Sequence, residues 1–113
     1  MIRTNKRVLQ AMQETIYDSC SLDELDNCIQ ARLSWMREID SFKADRSSNK
    51  YEYVLHAMMF HKDNLRRQIQ EIIVIKCLLK KSEYKNMGIL RNALLGKEIP
   101  IDKWVDFIFA KQK

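Results

Sequence analysis

The residues of this chain best suited to chemistry are the cations Lys62, Arg66, Arg67, Lys76, Lys80 and Lys81. At about 100° per helical residue, Lys62, Arg66, Lys76 and Lys80 fall within about 40° of one line. A helix carrying such a line can track a phosphate backbone, neutralising phosphates largely without reading bases. The same line also contains Ile69 and Ile73 and flanks the apolar seam of its helix at only about 80°. Long basic side chains in flanking positions reach acidic partners on a neighbouring helix. The preceding segment supplies Asp23, Glu24, Asp26, Glu38 and Asp40. Pairing within the protein is the first expectation for this stripe, and nucleic-acid contact is the alternative. Arg67 and Lys81 point away from the line and stay open to a ligand in either case.

Charge layout supports that order. Residues 20–45 carry three bases and six acids, whereas residues 46–81 carry eight bases and three acids. The whole-chain charge of +5 therefore hides an acidic segment followed by a basic one, and packing the two together answers much of the basic charge.

Other chemistry finds little support. His56 and His61 are five residues apart, about 140° on a helix, and cannot share a metal. No Gly-rich phosphate loop, nucleophile elbow or HExxH is present. The Arg-then-His spacing of HEPN ribonucleases, a helical enzyme family, is also missing. The expectation is a non-enzymatic protein with no cofactor and no metal site. Cys20, Cys28 and Cys77 are odd in number, lack CxxC spacing and sit beside apolar stripes, so three buried thiols in a cytoplasmic protein are expected. The longest apolar run, Ile72–Ile75, stops at Lys76 and is far too short to span a bilayer. No apolar signal core follows the basic N-terminus.

The elements that position these residues are helices. Two Gly, one Pro and no strand-like alternation in 113 residues specify an all-α single domain. Five helices are expected, over about 4–18, 21–45, 51–81, 83–95 and 102–111. Val8, Met12 and Ile16 share a face of the first. Ser21 and Glu24 form a capping box at the start of the second. Leu22, Leu25, Ile29, Met36 and Ile39 make its apolar stripe, and Cys28, Trp35 and Phe42 make a second heptad-spaced row, which demands more than one packing neighbour. The short polar cluster 46–50 makes the next helix an antiparallel neighbour. That helix, roughly 45 Å long at 1.5 Å per residue, completes a coiled-coil-like hairpin, with His61 and Gln68 as polar register-setters in its seam.

Ser82 is expected to start the fourth helix, Gly96 to end it in a left-handed cap, and Asp102 to cap the last. A helix-turn-helix outline over this final pair is weak, because Asp102 and Asp106 stand where a major-groove reader carries Arg, Asn or Gln. The low Gly and Pro with abundant Lys, Ile, Asn and Met resemble the composition of small accessory proteins of AT-rich genomes, phages among them.

Two apolar features exceed what one bundle hides. The third helix is apolar nearly all round at Ile72–Leu79, and the last carries Trp104, Val105, Phe107, Ile108 and Phe109 within six residues. The resulting expectation is an interaction or oligomerisation module, docking on another protein or as a dimer through Ile73, Leu78, Trp104, Phe107 and Phe109.

Overall fold

A computed structural model describes residues 6–110, and among them the chain is helical without strands. The elements are α1 (Lys6–Gln13), α2 (Leu22–Ser41), α3 (Tyr51–Ser82), α4 (Met87–Gly96), a 3-10 turn (Ile101–Lys103) and α5 (Trp104–Ala110). Overall extents are 59 × 26 × 22 Å with a radius of gyration of 17.7 Å. A compact chain of this length would have a radius near 13 Å. The molecule is elongated, and α3 accounts for its length.

α2 begins where its sequence dictates. The Glu24 N–H donates to Ser21 Oγ at 3.2 Å, and the Ser21 N–H donates back to Glu24 Oε1 at 3.4 Å. This reciprocal pair satisfies two amides that no helical carbonyl can reach. α2 and α3 lie side by side, and three polar contacts give their relative course. Asp26 pairs with Lys76, Arg32 Nε donates to Gln68 Oε1 at 2.9 Å, and Asp40 pairs with Lys62. Partners ascend α2 as they descend α3.

The core gathers at one end. Val8 and Met12 of α1, Tyr17, Leu25 of α2, Ile72, Ile75, Leu78 and Leu79 of α3, and the apolar faces of α4 and α5 form one buried cluster. Ile72, Ile75, Leu78 and Leu79 at the apolar end of α3 are thus covered within the chain by α1, α4 and α5, while Ile73 stays exposed.

Several helix ends differ from expectation. The start of the first helix at residue 4 lies outside the described residues, and α1 ends at Gln13 rather than 18. There the Glu14 carboxylate accepts from the N–H groups of Thr15 and Ile16 at 3.1 and 3.4 Å, offering the backbone an alternative to the helical ladder. The chain turns, Tyr17 goes inward, and Ile16 is left 68% exposed instead of in the core. α2 stops at Ser41 rather than 45, with Phe42 extended at ψ 133° as its C-cap.

Ser82 closes α3 instead of opening α4, because Glu83 adopts the left-handed region (φ 62°) with its N–H on the Leu79 carbonyl. Asn86 caps α4, its Oδ1 accepting from Ile89 N–H at 2.9 Å. Gly96 is an ordinary helical residue, and Glu98 takes the left-handed cap at φ 58°. The Glu98 N–H then reaches the Leu95 carbonyl at 2.9 Å and the Ile99 N–H the Leu94 carbonyl at 3.2 Å, a Schellman pair that turns Ile99 toward the core. Asp102 lies inside the 3-10 turn and does not cap α5.

Candidate protein interface on the helical arm

From Asp26 to Asn64 no residue is buried, whereas Leu25 and Leu65 on either side are. The distal parts of α2 and α3 therefore form a two-helix arm that projects from the core and has no buried core of its own. Most helical stability in proteins comes from packing an apolar face rather than from intrinsic propensity. An arm built this way presents apolar surface that its own fold does not cover.

Its two faces differ. One is crossed by the Asp40–Lys62 ion pair. The other carries an open groove of about 360 Å³ lined mainly by Trp35, Ile39, Phe42, Tyr53, Val54 and Met58. Trp35, Phe42 and Tyr53 are 53%, 56% and 76% exposed. Along the groove the Trp35 and His61 rings stand 6.3 Å apart at 51°, within the range of tilted aromatic pairs. His61 is an exposed ring against Trp35 and not a register-setter inside the seam. Gln68 is the polar residue that joins the two helices, through Arg32.

Toward the core the same side is closed by polar contacts. Arg32 is held by three acceptors: Gln68 Oε1, the Cys28 carbonyl at 3.1 Å and the Tyr17 hydroxyl at 3.2 Å. Burial raises the Tyr17 hydroxyl above its ordinary pKa, against the opposing pull of Arg32. At the tip, Ser47 gives its N–H and hydroxyl to Asp45 Oδ1, which lowers that carboxyl and fixes the turn between α2 and α3.

The residues singled out from sequence scatter. Leu78 and Trp104 are fully within the core, and Trp104 Nε1 donates to the Ile99 carbonyl at 2.8 Å. Phe107 and Phe109 are half-buried, with Lys97 Nζ 5.0 Å from the first ring and Lys81 Nζ 5.6 Å from the second. Ile73 is 46% exposed. The five do not form one surface.

Of the cations, Lys62 and Lys76 meet α2 carboxylates. Arg66 pairs with Asp63 at 2.8 Å, and Arg67 lies 4.0 Å from Glu71. Lys80 is exposed and has no ion pair among the described residues. Arg66 and Arg67 also line a wider groove between α1 and α3, where Arg7 joins them and donates to Gln70 at 2.9 Å. Asp63 and Glu71 share that groove, so its charge is largely answered locally. Burial raises the Glu71 carboxyl; Arg67 opposes the shift and Glu14 adds to it.

Cys20 and Cys28 are half-buried and Cys77 is exposed, so the expected three buried thiols do not form. Burial and the neighbouring Cys28 raise the Cys20 thiol. Among the described residues no group of three His, Cys, Asp or Glu side chains is placed to hold a metal, and no helix is long and apolar enough to cross a membrane.

Sequence reasoning missed Tyr53, Met59 and Phe60, which are exposed by 63–76%. The available signal was the Trp35–Phe42 row, which had no second stripe to meet. No family model, curated protein or solved structure matches the chain.

Proposed function

We propose that this protein is a non-enzymatic helical interaction module whose α2–α3 pair, an antiparallel coiled-coil-like hairpin, docks helix against helix through its aromatic face. The observation that carries this reading is the run from residue 26 to 64 without a buried side chain, coupled to Trp35, Phe42 and Tyr53 exposed by more than half. Isolated exposed apolar residues are ordinary on a protein surface, but a contiguous apolar groove between two helices is the form that helix-in-groove recognition takes. Rings flanking such a groove are well suited to anchor an interface.

Nucleic-acid binding is the second reading. Its support is the meeting of Arg7, Arg66 and Arg67 in one groove with the exposed ring of Phe60, since guanidinium groups beside an aromatic ring suit a single strand. The ion pairs of Lys62 and Lys76 weigh against it.

Replacing Tyr53 with a photo-crosslinking phenylalanine in cells tests the first reading. Protein adducts at position 53 that disappear when Phe42→Asp is added support it, and no protein adducts would overturn it. Fluorescence anisotropy with labelled DNA and RNA tests the second. Binding that falls linearly in log–log salt and weakens on Arg67→Glu would move the function to the arginine groove.

A further inference from the structure

We infer that the occupant of the aromatic groove is the arm of a second copy of this chain. The inference rests on the interaction reading above and names its partner. Three features of the arm converge on it.

The first is charge. Residues 33–63 contain five bases (Arg37, Lys43, Arg46, Lys50, Lys62) and five acids (Glu38, Asp40, Asp45, Glu52, Asp63), so the whole net charge of +5 resides elsewhere in the chain. Two arms approach without like-charge repulsion, with both signs interspersed on each. A strongly acidic or basic partner gains nothing from such a surface. The basic remainder of the molecule would repel a second copy if the contact lay there.

The second is shape. A two-fold contact requires one surface to hold both what projects and what receives it. Trp35, Ile39 and the C-cap residue Phe42 follow i, i+4, i+7 spacing along α2, and Tyr53 and Ala57 stand four residues apart on α3. The half-buried Ile39, Val54 and Met58 line one groove together with the exposed Trp35 and Tyr53 rings. Two such faces mate as a four-helix bundle, the arrangement in which every helix has an inward stripe.

The third is area. Half to three-quarters of an aromatic side chain is on the order of 100–150 Å², so Trp35, Phe42 and Tyr53 leave about 400 Å² uncovered per arm. Two arms bury roughly 800 Å² from these rings, and the half-buried Ile39, Val54 and Met58 of the same groove bring the contact toward the roughly 1,000 Å² of a specific interface.

Sedimentation equilibrium of the full chain from low micromolar to several hundred micromolar tests the inference. The wild type should approach twice its 13.5 kDa monomer mass, and Phe42→Asp with Tyr53→Asp should stay at the monomer mass throughout. Met59→Asp, an equally exposed apolar site about 120° round α3 from Tyr53, should still double. A wild type that remains monomeric, or doubling that survives in the double variant, overturns the inference. Should that variant lose helicity, hydrogen exchange of the wild type decides. Protection of residues 33–63 that rises with protein concentration supports the second copy, and unchanged protection overturns it. A monomeric wild type whose position-53 adducts contain a different protein removes the second copy and leaves the interaction reading intact. Adducts with no protein remove both.

Discussion

The backbone N–H of Gly88 donates to the carbonyl oxygen of Asp18 at 2.9 Å, and a Cβ placed on Gly88 would stand 3.2 Å from that same oxygen. This contact ties the start of α4 to the segment that follows α1. A methyl group there must push the carbonyl away from the amide that holds it. Gly88→Ala should therefore cost about 1 kcal/mol despite the gain in helix propensity, because close approach outweighs it. Gly96 is the internal comparison: it has an ordinary negative φ, and a Cβ there meets nothing within 4 Å. Gly96→Ala should add about 0.5–1 kcal/mol. Urea midpoints of the two variants, moving in opposite directions from the wild type, check both.

Arg91 clamps the same segment from α4. Its Nε and Nη2 donate to the two Asp18 carboxylate oxygens at 3.2 and 3.3 Å, and Nη2 also reaches the Glu14 carbonyl at 3.1 Å. The guanidinium carbon lies 5.6 Å from the Trp104 ring. Lysine keeps the charge but not the fork. Arg91→Lys should lose about 1–3 kcal/mol, comparable with charge-assisted bonds between half-buried partners. Arg66→Lys, whose partner Asp63 is exposed, should lose under about 1 kcal/mol. Thermal melts of the pair give the contrast.

Tyr17 makes stability depend on alkaline pH. Its folded-state pKa is raised, with burial as the largest cause, so the fold favours the protonated phenol. That contribution is fully present below the unfolded pKa near 10 and is lost as pH rises through the higher folded value. Between pH 9 and 11 the wild type should lose more stability than Tyr17→Phe. At pH 8 the variant should be weaker by about 1 kcal/mol, since Arg32 loses an acceptor.

Glu71 gives the acid-side counterpart. Burial raises its carboxyl, so the folded state favours the neutral form. The favourable contribution is present below the unfolded pKa near 4.3 and disappears as pH climbs through the folded value. Glu71→Gln should be more stable than the wild type at pH 7 and indistinguishable from it below about pH 4. A Glu71→Gln variant less stable than the wild type at pH 7, with the gap closing at acid pH, would show that Arg67, not burial, governs this carboxyl.

Thiol reactivity should separate the three cysteines. Cys77 is exposed, whereas Cys20 is half-buried with its thiol raised by burial and by Cys28. Thiolate, not thiol, is the nucleophile. At pH 8 a disulfide reagent should modify Cys77 in a fast phase that Cys77→Ser abolishes, leaving slower reaction at the other two.

Local chemistry was legible in the sequence wherever the backbone was decided by neighbours a turn away. The Ser21–Glu24 box and the extent of α3 are of this kind. The Asp26–Lys76 and Asp40–Lys62 pairs were also readable, because charge signs on flanking positions constrain which helices meet. The failures share a cause in tertiary competition. Glu14 ends α1 through its own side chain, and Glu98 takes the left-handed cap that Gly96 was suited to because Ile99 is drawn into the core. Leu78 and Trp104 read as surplus apolar surface because periodicity cannot show that α1, α4 and α5 converge on one end of α3. The aromatic face was half-visible. The Trp35–Phe42 row demanded a neighbour, and only the placement of the short helices reveals that none reaches it.

The lack of buried side chains between Leu25 and Leu65 also divides the molecule's cooperativity. Amides near the Ile72–Leu79 core should report global unfolding, while those between 33 and 63 should exchange through a cheaper sub-global opening that leaves the core folded. A partner that binds only the closed arm raises the opening free energy by RT ln(1 + [L]/Kd), reaching about 2.7 kcal/mol at a hundredfold excess over Kd. Occupancy of the aromatic face is thereby converted into the lifetime of the arm itself: among the described residues an unoccupied arm should open to a protease before the core does, and an occupied one should be protected along with the core.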